Sequence, residues 1–214
     1  MKTRIALLSL LTIVCLALAV APAMADTLYN NGPYNGTVDG WTINFGFSVS
    51  DSFTCCLGHS DWSVDGLNIV YWDASSSDLL TTVDMALGTS SFGGTPHTSL
   101  GLATNTFLGT NQYGYGLYRA DLTFPNPDVF PGTNYVTLSN ACTTSGCSVN
   151  TPIYWDENSG PSTAYENTLG SIPSEAFTLT GTPTGGSTPE PSSIMLFGSG
   201  VLGLAGVLRR KLTR

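Results

Sequence analysis

Two short runs carry the same three residue types in the same order: Val70-Tyr71-Trp72-Asp73 and Ile153-Tyr154-Trp155-Asp156. An aromatic ring beside a carboxylate is a pairing that can hold a sugar. The ring stacks on the apolar face of a pyranose while the carboxylate accepts its hydroxyls. On that reading Tyr71, Trp72, Tyr154, Trp155 and Asp156 are the candidate carbohydrate-binding residues. On a strand, however, successive side chains point to opposite faces, so each Trp lies opposite its Tyr and Asp. The packing alternative puts Trp72 and Trp155 in the core of a sheet protein and leaves each Tyr and Asp at a strand end.

The thiols are the next chemistry. Cys15 lies in an apolar leader, which leaves Cys55, Cys56, Cys142 and Cys147 in the body. An even count in an exported domain implies disulfides, with three connectivities. Bonding the neighbours Cys55 and Cys56 would strain the intervening peptide, so two cross-links between that pair and the Cys142/Cys147 pair are favoured. A local Cys142–Cys147 bridge is the rival. Each long-range bridge would close a loop of about 90 residues and add several kcal/mol in the chain-entropy model. Zinc is a further alternative, because His59 follows the vicinal cysteines, but adjacent thiols do not form the usual ligand knuckle. No metal site is therefore expected. Calcium is the one cofactor left open, at the oxygen-rich turn Asp156-Glu157-Asn158-Ser159-Gly160, which lacks the alternating acidic pattern of a calcium loop.

Catalysis finds less to use. Glycoside hydrolysis needs two carboxylates across a bond, and Asp73, Asp156, Glu157 and Glu175 are candidates no better than those of any acidic protein. The histidines are His59 and His97, and no Gly-x-Ser-x-Gly elbow occurs in the body. The expectation is no catalytic residue and no enzyme.

These residues need elements to position them. All fifteen Asp and Glu lie between Asp26 and Glu190, whereas six of the seven Lys and Arg lie outside that span, leaving Arg119 as the body's one Lys or Arg. Such a body repels phosphate backbones, which excludes nucleic acid as a partner. Trp41, Ile43, Phe45, Phe47 and Val49 alternate and predict one strand over 41–49. Further strands are predicted at 67–72, 79–87, 99–108, 115–124, 134–139, 152–155 and 175–180, separated by Gly-, Pro- and Asn-rich turns. No sustained helical period appears. The expected fold is all-β: a single β-sandwich, jelly-roll-like, over residues 26–181.

Both ends read as targeting segments. Lys2 and Arg4, an apolar run and Ala23-Met24-Ala25 make residues 1–25 a secretory signal peptide, cleaved after Ala25 by signal peptidase. Residues 182–188 form a flexible linker. Pro189-Glu190-Pro191 follows, then seventeen uncharged residues from Ser192 to Leu208, or about 25 Å of helix, enough to just cross a bilayer core. Arg209, Arg210 and Lys211 hold the end on the cytoplasmic side.

The order Pro-Glu-Pro, short Gly-containing apolar stretch and Arg-rich end over 189–214 resembles the PEP-CTERM sorting signal of Gram-negative bacteria. The resemblance implies an exosortase that recognises the signal and cuts near Pro189-Glu190-Pro191. It also implies an inner-membrane-anchored precursor that passes to the cell surface or extracellular matrix. Such proteins accompany exopolysaccharide production and biofilm formation. Residues 129–138, 153–162 and 172–177 also look like the core of β-rich PEP-CTERM proteins, which bring no catalytic residues with them. The expected function is structural or adhesive, with a module retaining exopolysaccharide as the alternative and a polysaccharide-degrading enzyme third.

Overall fold

The computed structural model describes residues 26–55, 62–75, 78–125, 127–129, 131–147 and 151–184, with Gly200 beyond them. The expected signal peptide with Ala25, the cysteine Cys56, His59 and the tail with Pro189, Glu190, Pro191, Arg209 and Arg210 lie outside the described residues. Among the described residues no helix is long and apolar enough to cross a membrane.

The expected all-β architecture is present as two antiparallel sheets. The larger contains β1 (Asp26–Asn30), β2 (Gly40–Thr42), β4 (Trp62–Asp73), β7 (Thr104–Thr110), β8 (Gly116–Thr123), β9 (Asp128–Val129), β11 (Ile153–Asp156) and β14 (Phe177–Pro183). The smaller is ordered β13 (Gly170–Ile172), β12 (Ala164–Glu166), β3 (Ser48–Cys55), β10 (Gly132–Thr143), β5 (Leu80–Gly88) and β6 (Pro96–Thr98). Inward-facing side chains of both sheets, including Val49, Phe53, Leu67, Ile69, Met85, Leu138, Trp155 and Leu179, form one core.

The alternating run 41–49 is not one strand. Ile43 and Val49 are buried as the pattern requires, but Phe45 and Phe47 are exposed. Asn44-Phe45-Gly46-Phe47 is a turn closed by Phe47 N donating to Asn44 O (3.1 Å), with Phe45 at φ 58° and Gly46 at φ 84°. The turn carries the chain from β2 in the larger sheet to β3 in the smaller. Period 2 is satisfied by two strands on either side of it as well as by one, and the Asn-x-Gly signal is what separates the cases.

The disulfides also depart from the favoured scheme. Cys142 bonds Cys147, with Cα atoms 4.1 Å apart, so neither is free to reach Cys55 or Cys56. Cys55 is itself disulfide-bonded, and its partner lies outside the described residues. The Cys142–Cys147 loop is held locally: Asp78 Oδ1 accepts Ser145 N (2.8 Å) and Thr144 Oγ1 (3.1 Å). This bridge tightens a hairpin end and staples no early strand to a late one.

Candidate functional site

β4 and β11 are neighbours, and their register pairs the two Tyr-Trp-Asp runs: Tyr71 opposite Trp155, Trp72 opposite Tyr154, Asp73 opposite Ile153. Directly opposed residues share a face. Tyr71 and Trp155 therefore point into the core together and are fully buried. Trp155 Nε1 donates to Ala176 O (2.9 Å), and its ring meets Phe177 edge-on at 5.7 Å. Neither ring presents a face to a sugar, which removes both from the candidate carbohydrate site. Trp72 and Tyr154 point outward, so Trp72 does not fill the core between the sheets as the packing alternative has it.

The outer face over Trp72 and Tyr154 is covered by two loops. One is the β7–β8 connection, wound around Asn111: its Oδ1 accepts Tyr113 N (3.0 Å) and Tyr115 N (2.9 Å), and its backbone N donates to Tyr115 O. The other is the segment from β1 to β2. Gln112 Nε2 donates to Thr37 O (2.6 Å) and ties the two loops together. Between them Trp72, Tyr113, Tyr115 and Tyr154, with Asp39 and Gly40, line a cleft of about 260 Å³. Tyr115 stacks on Tyr154 (5.9 Å, 16°), while Trp72 lies 5.9 Å from the Tyr113 ring and 6.4 Å from Tyr115. Tyr113 is 57% exposed. A Cβ on Gly40 would stand 3.0 Å from the Trp155 carbonyl oxygen and 3.4 Å from the Trp72 ring, so a larger residue there would have to push this wall back by a few tenths of an ångström.

Asp156 lies beneath the cleft rather than in it. Its carboxylate is fully buried and accepts three donors: Trp72 Nε1, Gly36 N (2.9 Å) and Asn35 N (2.8 Å). Burial pushes it up to about 6, opposed by those donors. It thus orients the Trp72 ring and anchors the covering loop. Burial, then the neighbouring Tyr115, likewise raises the Tyr154 hydroxyl.

The turn offered as a calcium loop is also spoken for. Asn158 Oδ1 accepts Gly160 N (2.9 Å) and Ser174 Oγ (2.8 Å), and Asn158 Nδ2 donates to Asn31 O (2.8 Å). With Asp156 committed to its three donors, this turn is a structural knot. Of the sugar candidates, then, Trp72 and Tyr154 line the cleft, Asp156 supports it, and Tyr71 and Trp155 belong to the core. Tyr113, Tyr115 and Asp39 were missed. The signal for the tyrosines was Tyr113-Gly114-Tyr115-Gly116, large rings alternating with glycine at the junction between two predicted strands.

No curated protein matches this chain. Residues 187–211, however, match the PEP-CTERM protein-sorting motif, agreeing with the tail read from its Pro-Glu-Pro, apolar and Arg-rich parts. That motif implies an exported, membrane-anchored precursor processed by exosortase. The chain thus carries a PEP-CTERM protein-sorting motif over residues 187–211, which supports its being an exosortase substrate.

Proposed function

We propose that this is a non-catalytic component of the cell surface or extracellular matrix, delivered by exosortase, that adheres to exopolysaccharide through the Trp72–Tyr113–Tyr115–Tyr154 cleft. The observation that carries the reading is the partly open aromatic wall itself. Tyr113 gives more than half its surface to solvent at the mouth of a cleft lined by three further rings and edged by Asp39. Rings so placed stack on the C–H faces of sugars, and a carboxylate at the rim accepts hydroxyls. Among the described residues Asp39 is the one carboxylate lining the cleft, which supports a binding role over glycoside hydrolysis, where two carboxylates must flank the scissile bond. The acidic body disfavours anionic polymers. The ligand class is therefore a neutral polysaccharide.

Affinity electrophoresis of the full chain in gels containing a neutral glucan or alginate tests this. The glucan should retard the wild type and not Tyr113→Ala or Tyr154→Ala variants of unchanged circular dichroism, while alginate should retard none. Equal retardation of wild type and variants would remove the cleft from the mechanism. Reducing sugar released from the glucan would make the protein an enzyme instead.

A further inference from the structure

Asp51 stands where a core residue belongs. On β3 the inward positions are Val49, Asp51, Phe53 and Cys55, all buried, and the carboxylate is enclosed between the sheets with its neighbours. Its Oδ2 accepts Glu175 N (2.7 Å) and Asn31 Nδ2 (3.2 Å), and the Ser162 and Ser174 hydroxyls and Ser52 N also favour its charged form, but its Oδ1 has no partner within hydrogen-bond geometry. Glu175 is more extreme. It is fully enclosed and neither carboxylate oxygen has a donor. Burial holds its carboxyl well above the usual carboxylate range, and the charges of Asp51, then Glu157, Asp156 and Asp39, add to that. Glu157 pairs with it across a backbone bridge.

Among the described residues nothing cationic answers these charges. Arg119 is the one Lys or Arg among the described residues, and it faces Asp121 at 3.7 Å on the surface. The pocket is instead over-supplied with oxygen. Four acceptors lie within 3.2 Å of the single Asn31 Nδ2: Asp51 Oδ2, Ser162 Oγ (2.7 Å), Ser174 Oγ (2.7 Å) and Glu175 O (2.6 Å). An amide nitrogen has two protons, so it satisfies at most two of them; the serine hydroxyls bring protons of their own, and Ser174 gives its proton to Asn158 Oδ1 (2.8 Å). Buried carboxylate oxygens without donors, in a cage of further oxygens, call for a missing ion or water.

We propose that Asp51 and Glu175 form a buried calcium site that pins the two sheets together near β3 and the segment leading into β14. Three unpartnered carboxylate oxygens supply the charged ligands, and hydroxyl or carbonyl oxygens and water complete the shell. Among the described residues no group of three or more His, Cys, Asp or Glu is set to hold a metal. Two carboxylates among neutral oxygens match calcium, which accepts six to eight oxygens in irregular geometry, better than zinc, whose four-coordinate structural sites are built from Cys and His. Magnesium demands a near-ideal octahedron and keeps its waters, which fits a closed inter-sheet pocket poorly.

The test uses the full chain stripped with EGTA, its thermal midpoint followed as calcium or magnesium is added. Calcium at a hundredfold excess over its dissociation constant should raise Tm by roughly 5–10 °C, with magnesium far weaker. Glu175→Gln should abolish the rise and melt, metal-free, at or above the metal-free wild type, because Gln needs neither a buried charge nor the uptake of a proton at neutral pH. Asp121→Asn, on the surface, should respond as the wild type does. Terbium luminescence sensitised by tryptophan and displaced by calcium should appear in the wild type and in Asp121→Asn but not in Glu175→Gln. An unchanged Tm with no sensitised emission would overturn the proposal. So would an equal calcium response in Glu175→Gln, which would assign the effect to surface carboxylates. A Glu175→Gln variant that melts higher, beside a wild type indifferent to calcium, would assign the pocket to a retained proton instead.

Discussion

The two Tyr-Trp-Asp runs lie side by side on β4 and β11 yet have opposite fates. In one, Tyr71 enters the core and Trp72 faces the loops; in the other, Trp155 enters the core and Tyr154 lines the cleft. Antiparallel pairing makes this unavoidable. Placing Tyr71 opposite Trp155 puts those two on one face and their successors and predecessors on the other. Sharing a motif therefore says nothing about sharing a role, and the contrast can be measured.

The largest effect is expected at Trp155. Truncation to Ala leaves a cavity in the middle of the core, strips Ala176 O of its donor and removes the edge-on contact with Phe177. A loss of about 3–5 kcal/mol is expected in urea unfolding. Trp72→Ala removes a ring that is almost as buried but lies outside the inter-sheet core, under loops that can settle onto the gap. Its cost should be about 2 kcal/mol, part of it from the lost donor to Asp156. Equal costs would mean that the covering loops are packed as rigidly as the core.

How much of this contrast the sequence carried can be judged residue by residue. The strand period showed that Tyr71 and Trp72 face opposite ways, but parity alone leaves the inward face undecided, and only register against β11 settles it. The same period concealed the turn at Asn44–Phe47, because Phe45 and Phe47 keep the beat while standing in solvent. Tail chemistry was legible because Pro-Glu-Pro, apolar stretch and arginines act through local order alone. The Cys142–Cys147 bridge was present as a rival, outweighed by an argument from strain at Cys55-Cys56 that took no account of how readily a five-residue step closes on itself. Asp51 was least legible. An acid on the core face of a strand looks like solvent-facing polarity until Val49 and Phe53 on either side are seen to be buried.

The carboxylates of the two runs give the smallest and most discriminating difference. Burial pushes both Asp73 and Asp156 up to about 6; backbone N–H donation from Ser75 opposes it for Asp73, and Asp78 nearby adds to it. Asp156→Asn would turn an amide NH2 toward one of the N–H groups of Trp72, Gly36 or Asn35, and should cost about 1–2 kcal/mol at pH 7. Asp73 offers a cleaner substitution: Oδ1 keeps its bond from Ser75 N (2.8 Å), while Oδ2 has no partner to lose. A carboxyl whose pKa is higher in the folded than in the unfolded chain favours folding while protonated. That contribution is full below about pH 4 and is lost as the pH rises through about 6. Asp73→Asn never ionises, so it should match the wild type at pH 4 and exceed it by up to about 1 kcal/mol at pH 7–8. Paired urea titrations at the two pH values measure the difference. A variant less stable than wild type at pH 7 would mean that Oδ2 finds a donor and that the two carboxylates, unlike the two tryptophans, do the same work.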